Sequence, residues 1–276
     1  MPEGPEIRLA ADSIAKALVS RKTTKVFFAY PHLKKFEKKL TGKKVVNVEA
    51  RGKAILTAFD NDLVIYSHNQ LYGRWYVVRS DELPDTHRQL RLAIHNRGYS
   101  AFLYSASDIE VLEAGQLLKH KFLSKLGPDL LSQNPTVGEL LERLESVKYR
   151  NRQLGNLLLD QGFVAGLGNY LRAEILFRSR LHPRLRPVDC CRGDLERLAT
   201  EMIRLARRSY KTRGVVNPPS LVRSLKAQGK TDKEQYRFSV YAREGKHCYF
   251  CSYKIERIDS GGRHIYFCPN CQSLPG

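Results

Sequence analysis

An α+β fold is predicted by the sequence: an N-terminal helix with a β-sandwich, then a helical region, then a Cys-bearing β-hairpin. Three observations point to it. Apolar residues recur at helical spacing at the start of the chain and again between about 125 and 213. Between those stretches they fall in short β-rich runs separated by turn residues. Close to the end, four of the six Cys stand as two C-x2-C pairs.

The first element is a helix over Glu3–Leu18. Ile7, Ala10, Ala11, Ile14 and Leu18 share one face, and Pro5 suits a first turn. Strands are expected at Lys44–Val48, Ala54–Phe59, Leu63–Ser67, Trp75–Val78, Leu90–His95 and Tyr99–Tyr104. Asn96-Arg97-Gly98 should turn the last two into a hairpin. Residues 1–124 therefore form a first domain. Leu126-Gly127-Pro128-Asp129 marks a hinge, taken as 125–133. A helical domain follows over 134–235. In Asp194–Lys211, one face carries Leu195, Leu198, Met202 and Leu205, and another carries Arg197, Arg204, Arg208 and Lys211. Such a basic face is either solvated or set against DNA. The polar stretch 215–235, with Asn217-Pro218-Pro219, reads as a long mobile loop, and 236–276 is a small Cys module.

The charge narrows the partners. Lys and Arg number 47 against 28 Asp and Glu, a net charge of +19. That field attracts polyanions, either nucleic acid or an anionic membrane surface. No run approaches the roughly 18 apolar residues of a spanning helix. The start, MPEGPEIRLA, lacks the basic and apolar regions of a signal peptide. The expectation is a cytoplasmic monomer with no membrane partner, in a reducing compartment where Cys serve metals before disulfides.

Cys248-x2-Cys251 is followed, after sixteen intervening residues, by Cys268-x2-Cys271. Each pair sets two thiolates on one knuckle, and two knuckles complete a tetrahedral shell for one Zn²⁺. Four thiolates leave no position for a reacting water, so this zinc is structural. It would hold a β-hairpin, turning at Ser260-Gly261-Gly262, whose tip offers Arg263. The adjacent Cys190 and Cys191 lie outside the pattern and read as bystanders.

Pro2 follows the initiator Met. Once Met1 is removed, the chain starts with a secondary amine whose reference pKa is near 8, far below that of Lys. Attack of such an amine on a sugar C1′ gives an iminium that stays positively charged, an electron sink for base loss and phosphate elimination. Glu3 and Glu6 lie beside it, one helical turn apart, as candidate acid and base. Pro and Glu are also simply favoured at helix starts.

Three motifs in order carry a resemblance. MPEGPE, the glycine-rich Asp160-Gln161-Gly162-Phe163-Val164-Ala165-Gly166-Leu167-Gly168-Asn169-Tyr170 segment and the four-Cys finger are together similar to the formamidopyrimidine-DNA glycosylase/endonuclease VIII family. Tyr66–Gly73 and Leu103–Glu110 resemble its endonuclease VIII branch. The resemblance implies a helix–two-turn–helix in the helical domain and a zinc finger at the end. It implies a bifunctional enzyme that removes oxidised bases, pyrimidines favoured, and cuts double-stranded DNA by β,δ-elimination. Carried over, Pro2 forms the Schiff base and Glu3 is the acid/base, with Glu6 secondary. Lys53 assists β-elimination and grips phosphate, Arg263 assists δ-elimination, and Asn169 contacts phosphate. Gln70, Leu71 and Tyr72 fill the hole left by the extruded nucleotide, an event that itself costs a few kcal/mol. DNA would lie across a basic cleft between the domains, with log affinity falling by about 0.9 per phosphate neutralised as log salt rises.

Two departures stand out. The 215–235 segment lacks the Gly-Gly-Thr-Thr-Leu loop of the purine-directed enzyme, and Lys125 stands at the hinge where Arg is expected, keeping the charge without the bidentate fork. Two rivals remain on sequence: a purine-directed formamidopyrimidine glycosylase, and a non-catalytic zinc-ribbon DNA-binding protein.

Overall fold

The computed structural model describes residues 2–274. Two compact units divide the chain, Met1–Lys125 and Leu126–Gly276.

The first unit opens on α1 (Gly4–Leu18). Pro5 sits in its first turn, and Ile7, Ala11, Ile14 and Leu18 are buried. Next come β1 (Lys25–Phe28), α2 (Lys35–Leu40), β2 (Val45–Arg51), β3 (Ala54–Phe59), β4 (Leu63–His68), β5 (Arg74–Arg79), β6 (Leu90–His95), β7 (Tyr99–Tyr104) and β8 (Asp108–Glu113). They form two antiparallel sheets, ordered β2-β3-β4-β8 and β1-β6-β7-β5. The inner faces share one core with α1, in which Ile7 and Ile14 meet Phe28, Ile55, Ile65, Ile94 and Leu103. The sandwich is as expected, with two more strands than the sequence suggested. β1 is only four residues long, and β8 hides its alternation of Ile109 and Val111 among acidic residues. The Asn96 hairpin forms: its Oδ1 accepts the N–H of Gly98 (2.9 Å) and Tyr99 (2.8 Å) while its Nδ2 donates to Ala17 O, tying the turn to the end of α1.

The second unit holds α3 (Val137–Glu145), α4 (Leu154–Leu157), α5 (Asn169–Ser179), α6 (Arg192–Lys211), α7 (Pro219–Ala227), α8 (Lys233–Tyr236) and the hairpin β9 (Glu256–Ser260) with β10 (Arg263–Phe267). One core spans helices and finger: Leu144, Phe163, Leu171, Leu198 and Met202 pack in the same cluster as Cys248, Ile255, Ile265 and Cys268. The 215–235 segment corrects the sequence reading. It is not a structureless loop but carries α7 and α8, with Leu225 buried and Pro219 opening α7. Its polar composition masked a nine-residue amphipathic turn sequence whose Pro belongs at a helix start.

Residues around 127–129 are clamped within this unit. Gly127 N–H donates to Gln161 O (2.8 Å) and Ala165 N–H to Pro128 O (3.0 Å). A Cβ at Gly127 would stand 2.5 Å from Phe163 O, so only glycine allows this approach.

Candidate active site

Pro2 lies just ahead of α1, partly exposed, and Glu3 is its N-cap in extended conformation. Glu3 is 3% exposed. Its backbone N–H donates to Glu6 Oε2 (3.0 Å), one half of a capping box. Glu6 is thus engaged as a helix cap, which fixes the backbone of Glu3 and, through it, the direction of Pro2. Met1 lies outside the described residues.

Lys53 occupies the two-residue turn between β2 and β3. Arg51 pairs with Ala54 across it, and Gly52 takes φ +60°. Glycine first with an ordinary φ second is the hairpin turn whose twist matches its strands. Lys53 is 8% exposed, so its aliphatic stem is buried. Next in register is His68 on β4, opposite Ala54 on β3 and Asp108 on β8. Burial lowers the His68 pKa, Asp108 pulls it back up, and Lys53 pushes it down again.

His68 leads into the Gln70-Leu71-Tyr72 loop. Its Nδ1 accepts the Gln70 N–H (3.0 Å), which requires that nitrogen to be unprotonated. Gln70 adopts φ +50°, and its Oε1 accepts from Ser107 Oγ. The loop closes through Gly73 N–H to Asn69 O (2.7 Å), where a Cβ on Gly73 would stand 2.5 Å from that oxygen. The result displays two large apolar side chains to solvent, Leu71 at 50% and Tyr72 at 67% exposure. A soluble surface carries such a pair at a cost unless something covers it.

In the second unit the glycine-rich segment turns twice between α4 and α5. Gly166 has φ +89°, and Gly168 is the α5 N-cap. The start of α5 carries the positive end of its helix dipole, which favours an anion. Asn169 at that end donates through Nδ2 to His264 O (3.0 Å). Arg172, fully buried, donates to Asn169 Oδ1 (2.5 Å), His264 O (3.1 Å) and Gly155 O (2.9 Å). These bonds seat β10 against the start of α5, so Asn169 and the strand bearing Arg263 are brought together. Arg263 itself is exposed at the start of β10, beyond a turn in which Gly261 and Gly262 both have positive φ. Ser260 Oγ donates to Asn156 Oδ1 (2.8 Å), fixing the tip on α4. Lys125 is exposed at the end of a 3₁₀ turn, Leu123–Lys125.

Arg172 and Glu174 are among the buried charges that escaped the sequence reading. Besides Arg172, Glu174 is almost wholly buried and accepts the N–H groups of Ser239 (2.9 Å), Val240 (2.7 Å) and Tyr241 (2.9 Å). Burial raises its pKa, and those donors and the charge of Arg243 oppose the rise. The available signal was the pair of charges inside the apolar run Tyr170–Phe177. The basic face of α6 is partly consumed: Arg197 pairs with Asp194, Arg204 with Glu201 (2.6 Å), and Arg208 donates to Val216 O (3.1 Å).

The four Cys converge. Their Sγ atoms lie within 4.8 Å of one another, with pairs at 3.3, 3.4 and 4.0 Å. Tetrahedral Zn–S bonds of about 2.3 Å need sulfurs about 3.8 Å apart, so the set fits a zinc ion. Burial pushes the Cys268 thiol up to about 11, and a dication is what ionises such a cluster at neutral pH. The site is a structural zinc centre: four Sγ atoms would fill its shell. Cys190, pushed up to about 11 by burial, is unreactive.

A helix-fronted β-sandwich, a two-turn helical motif and a four-Cys hairpin in this order define a zinc-finger DNA glycosylase fold. The model of the formamidopyrimidine-DNA glycosylase N-terminal domain matches residues 1–104, and that of the H2TH domain of the same enzymes matches 126–216. The chain belongs to the formamidopyrimidine-DNA glycosylase/endonuclease VIII family. It is 47% identical over 272 residues to Endonuclease 8 of Enterobacter sp. (strain 638), covering 99% of this chain and 100% of that protein. Endonuclease 8 of Pectobacterium atrosepticum is 44% identical with the same coverage. Among solved structures, the fold matches Lactococcus lactis formamidopyrimidine DNA glycosylase bound to DNA containing an AP site (TM-score 0.80, 23% identity, 99% of this chain and 100% of that one). It also matches a complex of MutM with DNA containing carbocyclic 8-oxo-G (TM-score 0.79, 24% identity, same coverage). No described helix is long and apolar enough to cross a membrane.

Proposed function

We propose that this protein is a bifunctional DNA glycosylase and abasic-site lyase that excises oxidised bases from double-stranded DNA, pyrimidines favoured. The observation that carries the reading is Pro2 placed ahead of a helix whose N-cap is a buried glutamate, in a chain 47% identical to an Endonuclease 8 across the whole of that protein.

After Met1 is cleaved, the Pro2 nitrogen lone pair forms a bond to C1′ of the damaged nucleotide. The C1′–base bond breaks, and the base leaves with the glycosidic electron pair and a proton from Glu3. The Pro2 nitrogen gives up its proton, the C1′–O4′ bond breaks as O4′ takes a proton, and the opened sugar is held as an iminium. Its charge draws electrons from C2′, which loses a proton as the 3′ phosphate leaves. A second elimination expels the 5′ phosphate, and water releases Pro2. Lys53, fixed by its hairpin turn, serves the first elimination and its phosphate. Arg263, held on a zinc-pinned hairpin, serves the second. Asn169 carries two amide hydrogens, one spent on His264 O, and offers the other to a phosphate beside the α5 N-terminus. Leu71 and Tyr72 fill the gap left in the base stack, with Gln70 beside them, and Lys125 adds a cation for the backbone. The substrate and the reduced thiols of the zinc centre support a cytoplasmic, nucleoid-associated protein.

Borohydride trapping on abasic DNA tests this. The mature chain should become covalently joined to sugar, Pro2→Gly should trap weakly, and a chain retaining Met1 should not trap. A zinc-loaded, DNA-binding chain with free Pro2 that never trapped would be a binding protein only. Excision of oxidised pyrimidine against 8-oxoguanine from matched duplexes tests the base preference.

A further inference from the structure

A groove of about 670 Å³ lies between the start of α3 and the C-terminal half of α6. Its floor is apolar, made by Pro135, Val137 and Ile203. Its rim is basic: Arg204, Arg207, Arg208 and Lys211 stand at i, i+3, i+4 and i+7 and so share one helix face. No carboxylate lines it.

The two halves of α6 differ in charge pattern. Its first half alternates signs and neutralises itself, with Arg192 paired to Glu196 and Arg197 to Asp194. After Glu201 no acid follows to the end of the helix. Arg204 is paired with Glu201, but Arg207 and Lys211 have no carboxylate partner among the described residues. Arg208 is crowded by Arg204 and Arg178, which, after burial, lower its pKa. The helix dipole rewards cations in the last turn. It explains neither the earlier Arg204 and Arg207 nor the apolar recess they surround.

We infer that this groove docks an acidic peptide segment of a partner protein, with carboxylates on the Arg207–Lys211 rim and one apolar side chain on the Pro135–Val137–Ile203 floor. The charge complementarity is one-sided, and the recess needs something to enter it. The phosphates of a duplex would meet the rim and leave the floor wet. Binding here would recruit the protein without using Asn169, Arg263 or the amino terminus.

The test uses the full zinc-loaded chain and two fluorescein-labelled hexapeptides, Asp-Asp-Glu-Asp-Leu-Phe and Asp-Asp-Glu-Asp-Ser-Ser, read by anisotropy. The first should bind with Kd on the order of 10 μM and the second at least about tenfold more weakly. Arg207→Gln with Lys211→Gln should weaken the first peptide about tenfold while affinity for a lesion duplex stays within about twofold. Val137→Asp is a second variant: an acid in the first turn suits the helix but places a carboxylate in the groove, and it should weaken the peptide by a similar factor, with circular dichroism checking the fold because Val137 also packs on the helical core. The proposal is overturned if wild type binds neither peptide, if both bind alike, or if either folded variant binds the first peptide as wild type does. It is equally overturned if the rim variant loses duplex binding as much as peptide binding, which would assign the face to DNA.

Discussion

At the scale of single residues, the site depends on groups whose neighbours are fixed by hydrogen bonds. Glu3 is buried and its backbone is held by Glu6 at the start of α1. In the proposed reaction base departure takes a proton from it, whereas elimination at an existing abasic site begins with the sugar already open. Glu3→Gln should therefore lower base release by about 100-fold or more, within the usual range for a lost general acid, and lower cutting of a preformed abasic site far less. Single-turnover assays on both substrates check this, and equal losses would contradict the division of roles. Glu174 works through structure. Removing its carboxylate leaves three N–H groups of Ser239–Tyr241 without an acceptor, at about 1–3 kcal/mol each when buried. Glu174→Ala should lower unfolding free energy by about 3 kcal/mol or more in urea titrations. A loss below about 1 kcal/mol would show that water or another group replaces it.

At the scale of elements, short turns carry the proposed site residues and larger pieces hold them still. The β2–β3 turn presents Lys53, the β4–β5 loop presents Leu71 and Tyr72, and the zinc hairpin presents Arg263. The hairpin is fixed at three places: by zinc at its base, by Arg172 and Asn169 at His264, and by Asn156 at Ser260. Its Ile265 and Cys268 also belong to the helical core. Chelating the metal should therefore lower the thermal midpoint of the second unit as well as unfold the finger, unlike an isolated zinc finger, which unfolds alone. Calorimetry with and without chelator, alongside lesion-duplex binding, measures both. An unchanged midpoint would mean that the shared core suffices without metal.

At the scale of the whole molecule, charge and buried histidines set the response to conditions. His68, His95 and His182 each have a pKa lowered chiefly by burial. Below the ordinary imidazole value near 6.5, the unfolded chain binds protons that the folded chain refuses, so stability is full above that value and falls as pH drops toward the folded values. Asp160 and Asp194 have lowered pKa values, so their contribution holds through this window and is lost only below the carboxylate range. The urea midpoint should fall between pH 7 and 5, ahead of acid unfolding. A flat profile there would show that these rings are hydrated in the folded state. Protonating His68 would also remove the acceptor for Gln70 N–H, loosening the loop that shows Leu71 and Tyr72.

Much of this was legible in the residues because the signals are local. The two C-x2-C knuckles, the short apolar runs of β3, β4, β6 and β7, the apolar stripe of α1 and the Asn96 turn are each set by patterns of a few residues. The amino-terminal Pro and Glu could be named for the same reason: their chemistry needs only the chain start and the first helical turn. What the sequence by itself determined was therefore the zinc ligand set and the order of elements, and it named the reactive groups proposed above. Only the tertiary structure decided how those elements are pinned. Asn169 meets His264 across 95 residues, and Glu174 meets Ser239 across 65. Gly127 is buttressed by the 161–163 turn, and 215–235 folds into α7 and α8. A buried charge or a close backbone approach is stabilised by partners distant in the chain, and no local period encodes where those partners are.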